Sequence, residues 1–340
     1  MARLLACSSG AALFWAIGAP APWLTGSAVA GAALAISGQA PQMPWQLLEA
    51  SFLVLGVSLG ASVDPASLAA VERWPLSLLA LLLTIPLIVG SAQLTLSRVF
   101  GWERREAFLA AVPGALSYTL AVALNEGLDV RPIAIAQSVR LMAIVLLAPL
   151  FFGALASHQP ALTTLATSDR PLDWIALLAA GLAGGLLLQR INTPVALMIG
   201  GLVVSCIAHG AGLTGATMPT WLLAPAIVLI GTNVGARFGG SDPKALVAML
   251  APALASTAVT FATAALAALA TAKMLQLPRL QVLMAFAPGG LDSIGVLVFT
   301  LKLDAAYVTV HQLVRFLGIA ATLPVLFRLW NSRSVGLPKR

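Results

Sequence analysis

The chain has 340 residues, of which 59% are hydrophobic and only 9% are charged, and its mean hydropathy is +0.95. A soluble domain carries about 25% charged residues, so a chain this apolar must have lipid as its main solvent. The net charge of +7 comes from basic residues scattered through short loops. That distribution excludes the clustered basic patch of a direct nucleic-acid interface and is typical of a membrane protein. Runs such as 78–94 lack the alternation of barrel strands. We therefore predict an all-α polytopic membrane protein.

Twelve apolar segments of roughly span length follow one another along the chain. Six occupy the first half, at 3–18, 22–37, 46–62, 75–97, 106–124 and 132–155. Six more follow at 173–190, 194–210, 219–237, 245–272, 280–300 and 306–330. Several are shorter than the ~20 residues that a full crossing needs. We therefore expect about five to six transmembrane helices in each half.

The second half repeats the first at a nearly constant offset. A shift of 175 positions aligns Pro113 with Pro288, and the match continues without a gap to Phe152 and Phe327. The least ambiguous pairs within it are Gly114/Gly289, Asp129/Asp304, Gln137/Gln312, Arg140/Arg315 and Pro149/Pro324. Agreement at this many Gly, Pro and polar positions indicates an internal duplication. The predicted domains are a first membrane repeat (1–155), a linker (156–172), a second membrane repeat (173–332) and a basic C-terminal tail (333–340).

The number of crossings in each repeat decides how the halves are related. An even number makes them parallel, and an odd number makes them inverted, as in many secondary transporters. With twelve crossings, the basic residues outside the spans divide eleven against six between the two sides. This bias favours a cytoplasmic N-terminus in a bacterial-type inner membrane but leaves the number of crossings open.

A Pro-Gly pair interrupts an apolar segment at the same position in both halves. Proline removes a backbone donor and glycine permits unusual backbone angles, so we predict broken helices there. Unwound backbone inside a membrane is tolerated where it faces protein or a wet cavity, and paired breaks indicate a transporter binding site. Plain proline kinks are the alternative. The predicted site residues around the two breaks are Pro113, Gly114, Ser117, Pro288, Gly289, Gly290, Asp292 and Ser293.

Two arginines lie near the middle of apolar segments. Arg140 and Arg315 each follow the proline of the preceding break by 27 residues, and Gln137 and Gln312 precede them by one turn. An intramembrane arginine is costly and marks a functional site by default. Two arginines against Asp292 leave the interior positive, which favours an anionic solute. We predict that both arginines and both glutamines belong to the solute site, where the guanidinium groups and the N-terminal ends of the broken helices bind the anion together. In the alternative interpretation, the arginines are structural and bond the carbonyls of the broken helices or Asp292.

Other chemistry finds little support in the residues. Cys7 and Cys206 lie in apolar stretches, and the three histidines share no ligand spacing. No HExxH, CxxC or nucleotide-binding loop occurs. Asn233 lies in a "GxxxG" segment whose expected use is close helix packing. We expect no enzyme activity, no metal and no cofactor.

The chain resembles the AbrB-type family of duplicated membrane proteins over essentially its whole length. The resemblance is carried by "PAPWLTGSAVAGAAL", "VPGALSYTLAVALNEGLDV" and "APGGLDSIGVLVFTLKLDAAYVTVHQLVRF". The first copy departs from the family pattern at Ala115, Leu116 and Ser117, where PGGL and an acid or similar polar group are usual. Family labels range from regulator of gene expression to ammonia monooxygenase, and the similarly named small DNA-binding regulator is a different, soluble protein.

These observations together predict a permease, similar to secondary transporters, for a small anionic solute. The alternative is an integral membrane protein that regulates gene expression indirectly, which would have a regulatory partner and no solute flux. A monooxygenase subunit, the third option, would contain copper or iron. The expected partners are the lipid bilayer and the solute, and the residues leave a homo-oligomer open.

Overall fold

The computed structural model describes residues 2–61, 74–113, 116–153, 171–191, 193, 195–240 and 243–334, and these residues form fourteen helices without a strand. The first seven helices are α1 (Ala2–Ala16), α2 (Pro22–Ile36), α3 (Trp45–Gly60), α4 (Trp74–Leu94), α5 (Arg104–Ala111), α6 (Leu116–Asn125) and α7 (Val130–Gly153). The next seven are α8 (Pro171–Gln189), α9 (Ala196–Gly210), α10 (Thr220–Ala236), α11 (Pro243–Leu275), α12 (Arg279–Phe286), α13 (Leu291–Thr300) and α14 (Ala305–Ser334). A π-helical turn, Thr95–Val99, extends α4.

Apolar composition and length confirm the predicted class, an all-helical membrane protein. Four helical segments are long and apolar enough to cross a bilayer: Trp74–Val99, Val130–Leu150, Leu172–Gln189 and Pro243–Leu275. Six shorter apolar helices of 10–17 residues accompany them. The span in α7 is 67% buried, against 17% for the span in α8. The helix that carries Arg140 therefore lies inside the bundle, whereas α8 exposes most of its surface.

The bounds of the helices correspond between the two halves. From α5 to α12 both ends move by 175 positions (104 to 279 and 111 to 286), and the same holds from α6 to α13 (116 to 291 and 125 to 300). From α2 to α9 both ends move by 174 (22 to 196 and 36 to 210). Left-handed residues recur in the same way, with Gly127 after α6 and Lys302 after α13. The starts and stops of these three pairs of helices therefore follow the offset seen in the sequence.

The predicted linker and the predicted tail each overlap a helix. The predicted linker, 156–172, lies outside the described residues except for its last two positions, and these belong to α8, which begins at Pro171. Proline is favoured in the first helical turn because its missing N–H would have no partner there. Likewise α14 continues to Ser334, so the first two residues of the predicted tail are helical and the others lie outside the described residues.

The halves interlock through glycine-rich helices. α2 packs on α10, and α3 packs on α9. A Cβ atom at Gly56 would overlap the backbone of Met198 in α9, and one at Gly235 would overlap Ala28 in α2. The main buried core surrounds these helices and α13, and a smaller core surrounds α5. The prediction that the "GxxxG" segments serve close helix packing is confirmed.

Gly56→Ala is expected to lower the free energy of unfolding by about 1–3 kcal/mol, because the added methyl group forces α3 away from α9. Gly90→Ala is the matched control, since no atom lies within 4 Å of a Cβ at this position in α4. Alanine there should be neutral or stabilise by up to ~1 kcal/mol through its higher helix propensity. Unfolding of the detergent-solubilised protein measures both, and equal stability of the two variants would contradict the packing role.

Candidate functional site

Both predicted helix breaks are present at the Pro-Gly pairs. α5 ends at Ala111, and Val112 continues in an extended conformation towards Pro113 before α6 begins at Leu116. In the second half, α12 ends at Phe286 and α13 begins at Leu291 after an extended stretch, with Gly290 as its N-cap residue. The missing N–H of proline and the flexibility of glycine explain why neither helix continues through the pair.

Each pair of short helices forms a hairpin whose two ends lie together. Nη1 of Arg105, at the start of α5, lies 3.4 Å from Oε2 of Glu126, just after α6. In the second half, Nε2 of Gln281 in α12 donates to Oδ2 of Asp304, after α13, at 3.4 Å. The eight residues of α5 extend about 12 Å, far less than a bilayer crossing. In each hairpin the outer ends of the two short helices therefore lie side by side, and the Pro-Gly pair is the tip.

Arg140 and Gln137 hold the tip of the first hairpin. Nη1 of Arg140 donates to the carbonyl oxygens of Ala110 (3.3 Å) and Ala111 (3.2 Å), and Nη2 donates to that of Val112 (2.8 Å). Nε2 of Gln137 donates to the carbonyl oxygen of Leu109 at 3.0 Å. The last carbonyls of a helix have no intrahelical donor and carry the negative end of its dipole. The arginine supplies both the donors and the positive charge that this helix end requires.

Arg315 and Gln312 repeat the arrangement in the second hairpin. Nε2 of Gln312 donates to the carbonyl oxygens of Met284 (2.9 Å), Ala285 (3.2 Å) and Ala287 (3.2 Å). Arg315 donates to the carbonyl oxygens of Ala287 and Gly289 and to Oε1 of Gln312. Its Nε is buried without an acceptor in the described structure. The acceptors thus follow the same offset of 175 as the arginines (109 to 284, 110 to 285 and 112 to 287).

These hydrogen bonds match the alternative interpretation of the two arginines. Both side chains are almost fully buried, with 5% of Arg140 and 2% of Arg315 exposed. The guanidinium groups bind the C-terminal ends of α5 and α12, whereas the sequence hypothesis aligned them with helix N-termini around an anion. The N–H groups that donate to these carbonyls are not available to a solute. The arginines act first as structural clamps on the hairpin tips.

A cavity of about 740 Å³ lies beside both hairpin tips. Its wall contains six of the predicted site residues: Gln137, Arg140, Pro288, Gly289, Gly290 and Asp292. Trp45, Leu48, Phe52, Leu116 and Phe316 supply apolar wall. A cavity of this size, with apolar walls and few polar groups, is typical of a site for a small molecule.

Four other predicted site residues lie outside the wall of this cavity. Ser293, Gln312 and Arg315 are buried behind the tip of the second hairpin, and Pro113 is buried at the tip of the first. Gly114 lies outside the described residues, and so does the side chain of Ser117. The structure therefore gathers the predicted residues around two clamped tips and exposes part of the set to the cavity.

Arg237, which was not among the predicted site residues, also lines the cavity. Its Nη2 lies 3.8 Å from Oδ2 of Asp292, and its side chain is 28% exposed. From the sequence, it is the last residue of the apolar segment 219–237 and counts among the basic residues outside the spans. The available signal was its spacing of four residues from Asn233, which places both on one helix face; Asn233 lines the cavity too. Arg140 and Arg237 against Asp292 leave one net positive charge in the wall.

The sequence profile of the family described as "Transition state regulatory protein AbrB" matches residues 23–331. The chain belongs to the AbrB family. This match includes both hairpins, both clamping arginines and Arg237. The recognition made from the sequence is confirmed.

Two similar proteins extend the comparison. The chain is 28% identical over 340 residues to "Putative regulator AbrB" of Escherichia coli (strain K12), and the alignment covers 96% of this chain and 94% of that protein. It is 22% identical over 294 residues to "Uncharacterized protein YhjN" of Bacillus subtilis (strain 168), covering 82% of this chain and 77% of that protein. The first name concerns regulation and the second states no activity.

Proposed function

We propose that this AbrB-family protein is a permease, similar to secondary transporters, and that the cavity beside the hairpin tips binds a small anionic solute. The observation that carries the proposal is the position of the cavity. Its wall combines the tip of the second hairpin, the first residue of α6 and a partly exposed guanidinium, that of Arg237. Interrupted helices at equivalent places in two halves are the usual setting of a transporter site.

We further propose that the halves are homologous and inverted in the membrane. If each hairpin returns to the side that it entered from, the crossings in one half are α1, α2, α3, α4 and α7. That number is five, and an odd number places the two halves in opposite orientations. α1, α2 and α3 have 15, 15 and 16 residues, so each is a short crossing of about 22–24 Å.

The basic residues support this arrangement. With ten crossings and a cytoplasmic N-terminus, twelve basic residues fall on the cytoplasmic side and five on the other, and Arg140 and Arg315 account for the remaining two of the 19. The twelve are Arg3, Arg98, Arg104, Arg105, Arg131, Arg190, Arg237, Lys244, Arg328, Arg333, Lys339 and Arg340, and the five are Arg73, Arg170, Lys273, Arg279 and Lys302. Positive residues concentrate in cytoplasmic loops, and this division is more uneven than the eleven against six of a twelve-crossing chain.

The charge of the cavity favours an anion. The clamping hydrogen bonds satisfy donors of Arg140 but do not cancel its charge, so the field in the cavity stays positive. Arg237 lies in a loose ion pair, 3.8 Å from Asp292, and its remaining donors suit a carboxylate, phosphate or sulfate group. Apolar residues such as Phe52 and Phe316 leave room for a short hydrocarbon portion. A small organic acid fits this combination of groups.

The proposal is tested by solute flux in liposomes that contain the purified protein. Acetate, succinate, phosphate and sulfate are the anionic probes, and glycerol and choline are the neutral and cationic controls. At least one anion is expected to raise the melting temperature in a saturable way and to cross the membrane faster than in protein-free liposomes. Flux of none of the anions, together with capture of a protein partner, would instead support an indirect regulatory role, as the name of the Escherichia coli relative suggests.

A further inference from the structure

The two hairpins occupy equivalent places in the chain but differ in burial. All seven residues from Asp292 to Val298 in α13 are buried. At the corresponding positions of α6, Ala121 is exposed, and a turn further on Leu124 is 65% exposed. Val296, which is the counterpart of Ala121 at the offset of 175, is 0% exposed. The second hairpin is therefore enclosed, whereas the first has a largely open face.

The difference in burial follows from which helices each hairpin packs against. α13 packs on α3, α7, α10 and α14, whereas α6 packs on α5 and α7 and makes no extensive contact with α3 or α10 in the described part of the chain. At the closest approach of α13 to α3, a Cβ at Gly295 would lie 3.3 Å from Cδ1 of Leu59 and 3.5 Å from Cδ2 of Leu55. The offset equivalents of these residues are Leu120 in α6 and Val234 and Ile230 in α10.

The loops around the cavity show the same asymmetry. Trp45, which lines the cavity at the start of α3, is 61% exposed. Its offset counterpart, Thr220, is half-buried, and Met43 in the wall is half-buried where its counterpart Met218 is 2% exposed. Pro41 and Leu48 are buried, as are their counterparts Ala216 and Leu223. One end of the site is thus open beside the α2–α3 loop. The corresponding residues beside the α9–α10 loop, Ala216 and Met218, are buried and do not line the cavity.

Two halves with the same succession of helices can each adopt the arrangement that the other one has. Exchanging the two arrangements produces a second structure with a similar set of contacts, and a solute can shift the population between two such states. We propose that the hairpins exchange packing partners, which closes the present mouth and opens a second one beside Ala216 and Met218. This inference rests on the proposed function, because it states how one solute site is reached from both sides of the membrane.

The exchange identifies specific contacts that form and break. α13 leaves α3, so Gly295 separates from Leu59. α6 moves onto α10 and brings Leu120 next to Val234, the offset counterpart of the contact that is lost. The contact of α3 with α9 is the same in both states, because neither helix belongs to a hairpin. Ser205 in α9, whose Oγ donates to the carbonyl oxygen of Val57 at 2.8 Å, marks this constant contact.

Pairs of introduced cysteines test the exchange in a chain with Cys7→Ser and Cys206→Ser. Gly295→Cys with Leu59→Cys reports the present state, Leu120→Cys with Val234→Cys reports the exchanged state, and Val57→Cys with Ser205→Cys is the constant control. Each is treated with a short bifunctional thiol reagent in membranes. We expect the first and third pairs to cross-link readily. The second should cross-link in a smaller fraction, which rises at least twofold with a probe anion that raises the melting temperature.

The exchange is wrong if Leu120 and Val234 never cross-link, with or without anion, while the control pair does. Spin labels on the exposed positions Ala121→Cys and Trp221→Cys give a second measurement that leaves the buried contacts unchanged. A population with a shorter distance between α6 and α10 supports the exchange, and a single unchanged distance overturns it.

The two proposals fail in distinguishable ways. If the wild-type protein transports an anion but Leu120→Cys and Val234→Cys do not cross-link, the permease proposal is supported and the exchange is wrong. If both hairpin pairs cross-link but no anion is transported, the exchange is supported and the permease proposal is wrong.

Discussion

Arg315→Ala is expected to lower the free energy of unfolding by about 2–4 kcal/mol. Removing the guanidinium takes the arginine donor from the carbonyl oxygen of Gly289 and from Oε1 of Gln312, in a site where only 2% of the side chain meets solvent, whereas the carbonyl oxygen of Ala287 keeps Nε2 of Gln312. Each buried carbonyl left unsatisfied costs about 1–3 kcal/mol, and relief of the buried charge offsets part of that cost. Arg315→Lys should recover less than half of the loss, because an ammonium cannot reproduce the planar fork that reaches both carbonyls.

The first hairpin provides an internal comparison. Arg140→Ala removes the equivalent clamp, but Arg140 lines the cavity and Arg315 does not, so water in the cavity can satisfy more of the freed carbonyls there. We expect a smaller loss than for Arg315→Ala. Arg190→Ala, at an exposed position, should change stability by less than ~0.5 kcal/mol.

Chemical unfolding of the detergent-solubilised variants measures these differences. A stable Arg315→Ala protein that has lost only anion binding would contradict the structural clamp. It would support direct contact between Arg315 and the solute, as the sequence hypothesis has it.

Arg237→Gln is expected to weaken anion binding about 10- to 100-fold, while unfolding changes little. A charge-assisted hydrogen bond contributes about 1.5–3 kcal/mol, which corresponds to this range of affinity. The ion pair of Arg237 with Asp292 is long, at 3.8 Å, and its arginine is 28% exposed, so its own contribution to stability should stay within ~1 kcal/mol. The comparison uses the probe anion identified by the thermal-shift and flux measurements.

Asp292→Asn should strengthen the binding of the same anion. Without its carboxylate, Arg237 has no competing partner in the cavity wall, and affinity should rise several-fold. Arg190→Gln, which removes an exposed charge that does not line the cavity, should leave affinity within twofold. Unchanged affinity in both Arg237→Gln and Asp292→Asn would exclude the cavity wall as the anion site.

Much of this molecule was predictable because its causes are local. Hydropathy alone identifies a membrane protein, since an apolar chain has no way to present a polar surface. Pro113 and Pro288 stop their helices through the geometry of their own residues, so the breaks could be placed from the sequence. The offset that aligns Gln137 with Gln312 and Arg140 with Arg315 also predicted which side chains would share a role. It could not say what that role was.

The remaining features depend on contacts between residues far apart in the chain, and only the tertiary structure decided them. The sequence of a broken segment does not distinguish a second half that continues across the membrane from one that turns back. The ion pair between Arg105 and Glu126 shows that the segment turns back as a hairpin. The sequence likewise does not distinguish an arginine that binds a solute from one that binds a helix end. In the structure, Arg140 and Arg315 donate to carbonyl oxygens at the ends of α5 and α12. Arg237 faces Asp292 because α10 packs beside α13. Hydropathy and backbone propensity are properties of single segments, whereas the partner of a side chain is set by how the segments pack.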